Sequence, residues 1–221
     1  MEPGPVNDAR YARQRMQLIE TLQDRGIDDL AVLRAFDLVP RHLFLPDAVQ
    51  HRAYEDSPLP IGFGQTASQP SLQALYMQVL KLEPTDRVLE VGTGSGFQTA
   101  VLAQLVANVY SVERIRELSV RARALLDQLR LSNVALLVGD GTIGWSKYAP
   151  YDAILVAAGA PVVPESLVEQ LAPGGRMLIP VGDRREQKLV LVRRTPEGGV
   201  EREDVVTCTF VPLIGRFGWA T

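Results

Sequence analysis

With 221 residues, 46% of them hydrophobic and 22% charged, and a net charge of −3, the chain has the size and balance of one substantial soluble domain. A pI near 5.5 leaves no basic stripe to neutralise phosphates, which argues against nucleic acid as a partner. One cysteine, Cys208, and two histidines, His42 and His51, supply neither a disulfide framework nor a metal site.

In chain order, the opening MEPGPVNDAR lacks the apolar core of a secretory signal. No later run approaches the ~18 apolar residues of a membrane span, so the chain is expected to be cytoplasmic, with no membrane partner. Residues 8–24 place Tyr11, Leu18, Ile19 and Leu22 on one helical face, with Gly26 just past the end as a C-cap. Asp28 and Asp29 are positioned to cap a second short helix carrying Val32, Leu33 and Phe36 before Pro40. Residues 1–53 therefore read as an N-terminal helical extension packed on the core of a single domain. Residues 54–70, YEDSPLPIGFGQTASQP, have three prolines and too little periodicity for a helix or a long strand. A loop of this length in a compact domain is usually functional. A helix follows, with the stripe Leu72, Leu75, Tyr76, Val79 and Leu80, Pro70 at its first position, and Ser68 or Gln69 near its N-cap. Two readings of Thr66 and Ser68 stand side by side here. Either they cap this helix, or its N-terminus, with free amides and hydroxyls, receives a carboxylate.

Residues 87–99, RVLEVGTGSGFQT, organise the rest. Val88, Leu89 and Val91 suit a buried parallel strand, Gly92, Gly94 and Gly96 a sharp turn lying against a ligand, and residues 100–105 a helix running back along the sheet. The remainder, within a core of residues 71–195, alternates as an α/β protein does. Strands are expected at 109–112, 134–138, 152–157, 177–181 and 188–193. A helix is expected at 115–129 and a short one at 166–171, stopped by Pro173-Gly174-Gly175. A C-terminal strand at 205–213, carrying FVPL, completes residues 196–221. The basic residues Arg114, Arg116, Arg121 and Arg123 read as a solvated helix face.

A strand–glycine turn–helix unit makes a nucleotide-type site. A dinucleotide fingerprint beginning at Gly92 needs glycine at 97, where Phe97 stands. The observed G-x-G-x-G preceded by Glu90 suits S-adenosyl-L-methionine, whose sulfonium and zwitterionic methionine part favour a nearby acid and a close backbone. Glu113, about twenty residues on, is placed to accept both ribose hydroxyls, and Asp140 to meet the adenine edge. Gly141 follows Asp140. An oxidoreductase using a nicotinamide cofactor is disfavoured by the same glycine spacing.

Several motifs together resemble the protein-L-isoaspartate O-methyltransferase family. They are VPRHLF at 39–44, the whole 54–70 loop, VLEVGTGSGFQTAVLA at 88–103, YSVERI at 110–115, GDGTIGW at 139–145, residues 149–182 and FVPLIG at 210–215. The glycine run is shared by many methyltransferases, whereas the 54–70 loop is specific. The resemblance implies a Rossmann-like, doubly wound, mostly parallel sheet of the class I S-adenosylmethionine-dependent methyltransferase type. It implies methyl transfer to the free α-carboxyl of L-isoaspartyl residues in damaged proteins and peptides, leading to repair through a succinimide, and action as a monomer. Matched onto this chain, the family's active-site serine falls on Ser68. Gln65, Thr66 and Ser68 would contact cofactor, Thr66, Ala67 and Ser68 would contact substrate, and Gly92, Gly94, Glu113, Asp140 and Gly141 would hold the cofactor, alongside Glu90 and Gly96. The chain departs from the family's usual residues at Ala67, Ala157 and Thr209, which bears on substrate binding.

The residue inventory suits that chemistry. A substrate carboxylate is already ionised near neutral pH, so no general base is needed. Ser68 has no histidine–acid pair to activate it and reads as a hydrogen-bond donor that orients the substrate. Two other readings keep the fold: a methyltransferase for a small metabolite, which has no evident need of the 54–70 loop, and a silent S-adenosylmethionine sensor, which binds without turnover.

Overall fold

A computed structural model describes residues 9–220. The expected helix start at Asp8 lies outside the described residues, and helix α1 runs Ala9–Asp24. Gly26, at φ +88°, ends it in the left-handed turn that glycine adopts without strain. Asp29 caps α2 (Leu30–Leu38), its carboxylate accepting from the backbone of Ala31 and Val32. Helix α3 (Pro70–Leu80) grips this junction. Gln78 Oε1 accepts from the amides of Asp28 and Asp29 while its Nε2 donates to the Gly26 carbonyl. The helical extension is thus fastened directly to the core.

Residues 54–70 are not wholly irregular. They contain a hairpin of β1 (Leu59–Gly62) and β2 (Gln65–Ala67), paired antiparallel with an irregularity between Pro60 and Gly62. Gly62, Phe63 and Gly64 all have positive φ, the backbone that a tight right-twisting hairpin requires. Phe63 tolerates it with its ring under the Arg121 guanidinium, 5.4 Å from the centroid.

The main sheet has seven strands in the order β5-β4-β3-β6-β7-β8-β9: β3 (Arg87–Val91), β4 (Asn108–Glu113), β5 (Val134–Val138), β6 (Tyr151–Val156), β7 (Leu171–Gly182), β8 (Gln187–Arg194) and β9 (Val200–Cys208). Strands β3 to β7 are parallel, and β8 is antiparallel to both neighbours. The chain moves outward from β3 to β5 and then returns to β6 on the other side of β3. That reversal opens a crevice at the carboxyl end of β3. Alternation along β6 sends Ala153 and Leu155 into one core and Ile154 and Val156 into another. The first core is shared with α1, α2, α3, α4 (Phe97–Leu105) and α5 (Arg116–Gln128). The second is covered by the one-turn α6 (Glu165–Val168), the aromatic segment 145–151 and Leu213.

Three local expectations shift. The helix expected at 166–171 is the single turn α6, and Pro173-Gly174-Gly175 forms a bulge inside β7, between the pairs Tyr151↔Leu171 and Ala153↔Arg176, instead of ending a helix. The last strand closes at Cys208, before FVPL. That segment crosses the crevice, with Gly159 donating to Val211 O and accepting from Leu213 N, each at 2.8 Å. Among the described residues no helix is long and apolar enough to cross a membrane.

Candidate active site

The glycine turn at the carboxyl end of β3 has three glycines at φ +98°, +55° and +88°, and they serve two purposes. Gly92 and Gly94 line the crevice, where a Cβ on Gly94 would come within 3.3 Å of Ile61. Gly96 is the N-cap of α4 and faces away, where a Cβ would lie 2.9 Å from Ala122 Cβ on α5. The first two clear space for a ligand, and the third lets two helices approach.

The three acids singled out from the sequence divide similarly. Glu113 ends β4 at the cleft, its Oε2 accepting from Gly94 N and its Oε1 from Ile115 N, each at 2.9 Å. Glu90 lies fully buried behind the turn. It accepts from Gln98 Nε2 at 3.0 Å, Thr99 Oγ1 at 2.5 Å and Ser111 Oγ at 2.6 Å. Burial raises its pKa to about 7, against the lowering effect of those three bonds. Asp140 accepts from Thr142 N and Thr142 Oγ1 through Oδ1 and from Arg216 N through Oδ2. Burial pushes its pKa up, but those bonds outweigh it and hold the group below the usual carboxylate range. Asp140 thereby pins the C-terminal segment, and the neighbouring Gly141 lines the cleft in its place. The structure thus gathers Gly92, Gly94, Glu113 and Gly141 at one wall and sets Glu90, Gly96 and Asp140 behind it.

The opposite wall comes from the hairpin and its exit: Ile61, Gln65, Thr66, Ala67 and Ser68. Ala157, Ala158 and residues 211–214 form the floor. The cleft spans about 780 Å³, much of it open to solvent. A second cleft of about 380 Å³ adjoins it and shares Thr66, Ser68, Ala157 and Val211. Pro58, Gln69, Leu72, Thr209 and Phe210 complete that second wall. Ala157 and Thr209, two positions expected from the sequence to bear on substrate binding, both lie here.

Neither Thr66 nor Ser68 caps α3. Gln69 is the N-cap residue without a side-chain cap bond, and the Ser71 amide is already taken by Asp56 Oδ1 at 2.8 Å. The expected free helix N-terminus is thus partly occupied by the chain's own carboxylate. Three cleft or loop contacts escaped the sequence reading. Gln73 and Gln98 line the cleft, and Arg41 holds the Ser68 carbonyl. Their signal lay in motifs already quoted, VPRHLF for Arg41 and GSGFQT for Gln98, but nothing local showed which way those side chains point.

The residues present fit S-adenosyl-L-methionine. Two glycines leave the turn open where a Cβ would narrow it, and a carboxylate stands beside them at the end of the adjacent strand.

Comparison with known proteins agrees with this geometry. Residues 13–218 match the model of the protein-L-isoaspartate(D-aspartate) O-methyltransferase (PCMT) family. The protein-L-isoaspartate O-methyltransferase of Trichlorobacter lovleyi is 53% identical over 208 residues, spanning 94% of this chain and 95% of its own. That of Geobacter metallireducens is 51% identical over 211 residues, spanning 95% of this chain and 97% of its own. Among solved structures, a protein-L-isoaspartate O-methyltransferase superposes with a TM-score of 0.85 at 32% identity, covering 92% of this chain and 67% of that one. A candidate protein-L-isoaspartate O-methyltransferase from Plasmodium falciparum, in complex with S-adenosyl-L-homocysteine, superposes at 0.79 with 28% identity, covering 90% of this chain and 97% of that one.

Proposed function

The chain belongs to the protein-L-isoaspartate(D-aspartate) O-methyltransferase family, and we propose on that footing that it methylates the free α-carboxyl of L-isoaspartyl residues in damaged proteins, using S-adenosyl-L-methionine. The observation that carries this reading is the pair of adjoining clefts meeting at Thr66, Ser68, Ala157 and Val211. The larger one is bordered by the glycine turn and Glu113, the groups suited to a nucleoside cofactor. The other, smaller and rimmed by Pro58, Leu72 and Phe210, suits an extended peptide. A methyl-transfer enzyme needs such a shared boundary, because donor and acceptor must meet end to end in line.

When bound, S-adenosyl-L-methionine supplies an electrophilic methyl group on a sulfonium. Glu113 is positioned to accept the ribose hydroxyls while its other lone pairs hold the Gly94 and Ile115 amides. The Gly92–Gly94 backbone permits close approach, and Gly141 borders the same space. Ser68, at the boundary of the two clefts, orients the substrate carboxylate by donating a hydrogen bond. Ala67, the buried last residue of β2, lines the cleft between the two polar residues. The hairpin and residues 211–214 flank the line of attack, and shielding it from water would strengthen the charged interactions inside. Proton transfer is not required, since the nucleophile is a carboxylate ionised at neutral pH. The ester formed then closes to a succinimide with loss of methanol, and hydrolysis of that ring returns some normal aspartate. The same reading includes action as a monomer.

Incubation of the purified protein with labelled S-adenosyl-L-methionine and paired isoaspartyl and aspartyl peptides tests the reading. Label is expected in the isoaspartyl peptide alone, and equal labelling of both, or of neither, overturns it.

A further inference from the structure

We infer that Arg41 is a positioning residue for methyl transfer: it fixes the Ser68 backbone through a buried polar chain that runs back to the cofactor strand. The inference rests on the role proposed for Ser68. Arg41 lies on a short 3-10 turn, Arg41–Phe44, far from the clefts in sequence, yet its side chain is 1% exposed. Its Nη2 donates to the Ser68 carbonyl and its Nη1 to Gln73 Oε1, each at 3.0 Å. Gln73 Nε2 reaches Gln98 Oε1 at 3.4 Å, and Gln98 Nε2 donates to Glu90 Oε1 at 3.0 Å. The guanidinium also rests on the face of Phe97, the first residue of α4, 4.7 Å from the ring centroid.

These contacts form a continuous line from the hairpin exit, through the first turn of α3, to the first turn of α4 and then the acid at the end of β3. All four side chains are buried, and the middle two also face the cofactor cleft. Burying a guanidinium costs several kcal/mol, and here burial pulls its pKa down to about 10, so it stays charged at neutral pH. Packing alone does not account for it, because an apolar side chain of equal volume would fill the space without that cost. What a guanidinium adds is geometry. Its two terminal nitrogens are rigidly forked, so the Ser68 carbonyl is held at a fixed angle to Gln73 on the adjoining helix. Ser68 precedes Gln69 and Pro70, and the carbonyl held by Arg41 is attached to the same Cα that carries the hydroxymethyl group, so fixing it fixes the base from which the hydroxyl is directed. An orientation error of about 1 Å at a reacting centre lowers the rate by ~100-fold.

The test measures kcat, peptide KM, S-adenosyl-L-homocysteine affinity and hydrogen exchange for the wild type, Arg41→Met, Arg41→Lys and Gln73→Leu. With Arg41→Met, kcat is expected to fall about tenfold or more at saturating cofactor, while the cofactor-product Kd stays within about threefold. Exchange should rise in residues 66–69 and not in β3 or α4. Arg41→Lys, which keeps one donor, should recover part of the lost rate. Gln73→Leu removes one of the two anchors of the fork and should give a smaller loss of the same kind. It carries the test if Arg41→Met does not fold. A folded Arg41→Met or Gln73→Leu with wild-type kcat overturns the inference, as does a rate loss matched by an equal loss of cofactor affinity. Wild-type protein that leaves isoaspartyl peptide unmethylated overturns the functional reading instead, and does so before any variant is compared.

Discussion

The Gly94 amide donates to Glu113 Oε2 at 2.9 Å, so the glycine turn after β3 and the acid ending β4 form one unit. Glu113 also holds the Ile115 amide and therefore shapes the entry to α5 as well as facing the cleft. Glu113→Ala should weaken S-adenosyl-L-homocysteine binding by about tenfold or more, since hydrogen bonds to a charged group contribute about 1.5–3 kcal/mol each. Glu113→Gln keeps one acceptor and should fall between that variant and the wild type. Titration calorimetry with the three proteins checks the order. Equal affinity in all three would mean that the carboxylate serves the two amides alone.

Ser68 stands where the two clefts meet, and its side chain caps no helix. Ser68→Ala should lower kcat by about tenfold to a hundredfold while the cofactor-product Kd changes little, the signature of an interaction used in the transition state. Steady-state rates on an isoaspartyl peptide together with calorimetry separate the two effects. Loss of cofactor affinity with unchanged turnover would reverse the assignment.

Glu90 makes a pH-dependent contribution of calculable sign. Its folded pKa of about 7 stands above the usual glutamate value of about 4.3. Between those values the folded protein holds a proton that the unfolded chain has released. Stability from this group is therefore lowest above pH 7, where a buried charge persists, and rises as pH falls through about 7. Glu90→Gln removes that dependence. The melting temperature of the variant minus that of the wild type should be larger at pH 8 than at pH 5, whatever constant offset the new amide brings. A difference that does not vary with pH would show that Glu90 does not titrate in this window.

Gly96 has its φ at +88° and a Cβ there would sit 2.9 Å from Ala122 Cβ. Gly96→Ala should cost about 2 kcal/mol or more, part of it from the left-handed backbone and part from overpacking. Ala122→Gly in the same chain removes the clash but not the backbone strain, so denaturant titration of both single variants and the double should show partial rescue. Because Gly96 is off the cleft wall, S-adenosyl-L-homocysteine affinity should survive in whatever fraction is folded. Full additivity of the two substitutions would mean that the helices do not meet at this point.

Much of the site was legible because its parts are local. An apolar run, spaced glycines and a helical stripe fixed β3, its turn and α4, and the acid ending the next strand lay at the spacing that brings Glu113 beside Gly94. What the sequence hid depends on distant partners. Asp140 looks like any loop acid until Arg216, 76 positions away, is seen donating to it. Arg41 meets Ser68 and Gln73 across 27 and 32 positions, a relation that no periodicity encodes. The hairpin in residues 54–70 was masked because Pro58 and Pro60 interrupt the alternation of apolar and polar residues and its turn rests on three positive-φ positions. FVPL reads as a strand by composition. Its place, however, is set by bonds to Gly159 across the crevice.

Thr209 gives the sharpest separation of the two clefts, because it borders the second and not the first. Its hydroxyl reaches only the Arg185 carbonyl, at 3.4 Å on an exposed surface, so a larger side chain there leaves no buried polar partner orphaned. The space beside it is shaped by Pro58, Leu72 and Phe210, where an indole can rest against apolar neighbours. Thr209→Trp should therefore occupy the peptide's path and raise the isoaspartyl-peptide KM by about tenfold, leaving S-adenosyl-L-homocysteine affinity unchanged. A shift of surface stability beyond about 0.5 kcal/mol is not expected. Initial rates against peptide concentration, with cofactor-product titration on the same sample, distinguish the outcomes. Unchanged KM would place the peptide elsewhere, and a matching loss of cofactor affinity would mean that the two clefts are one.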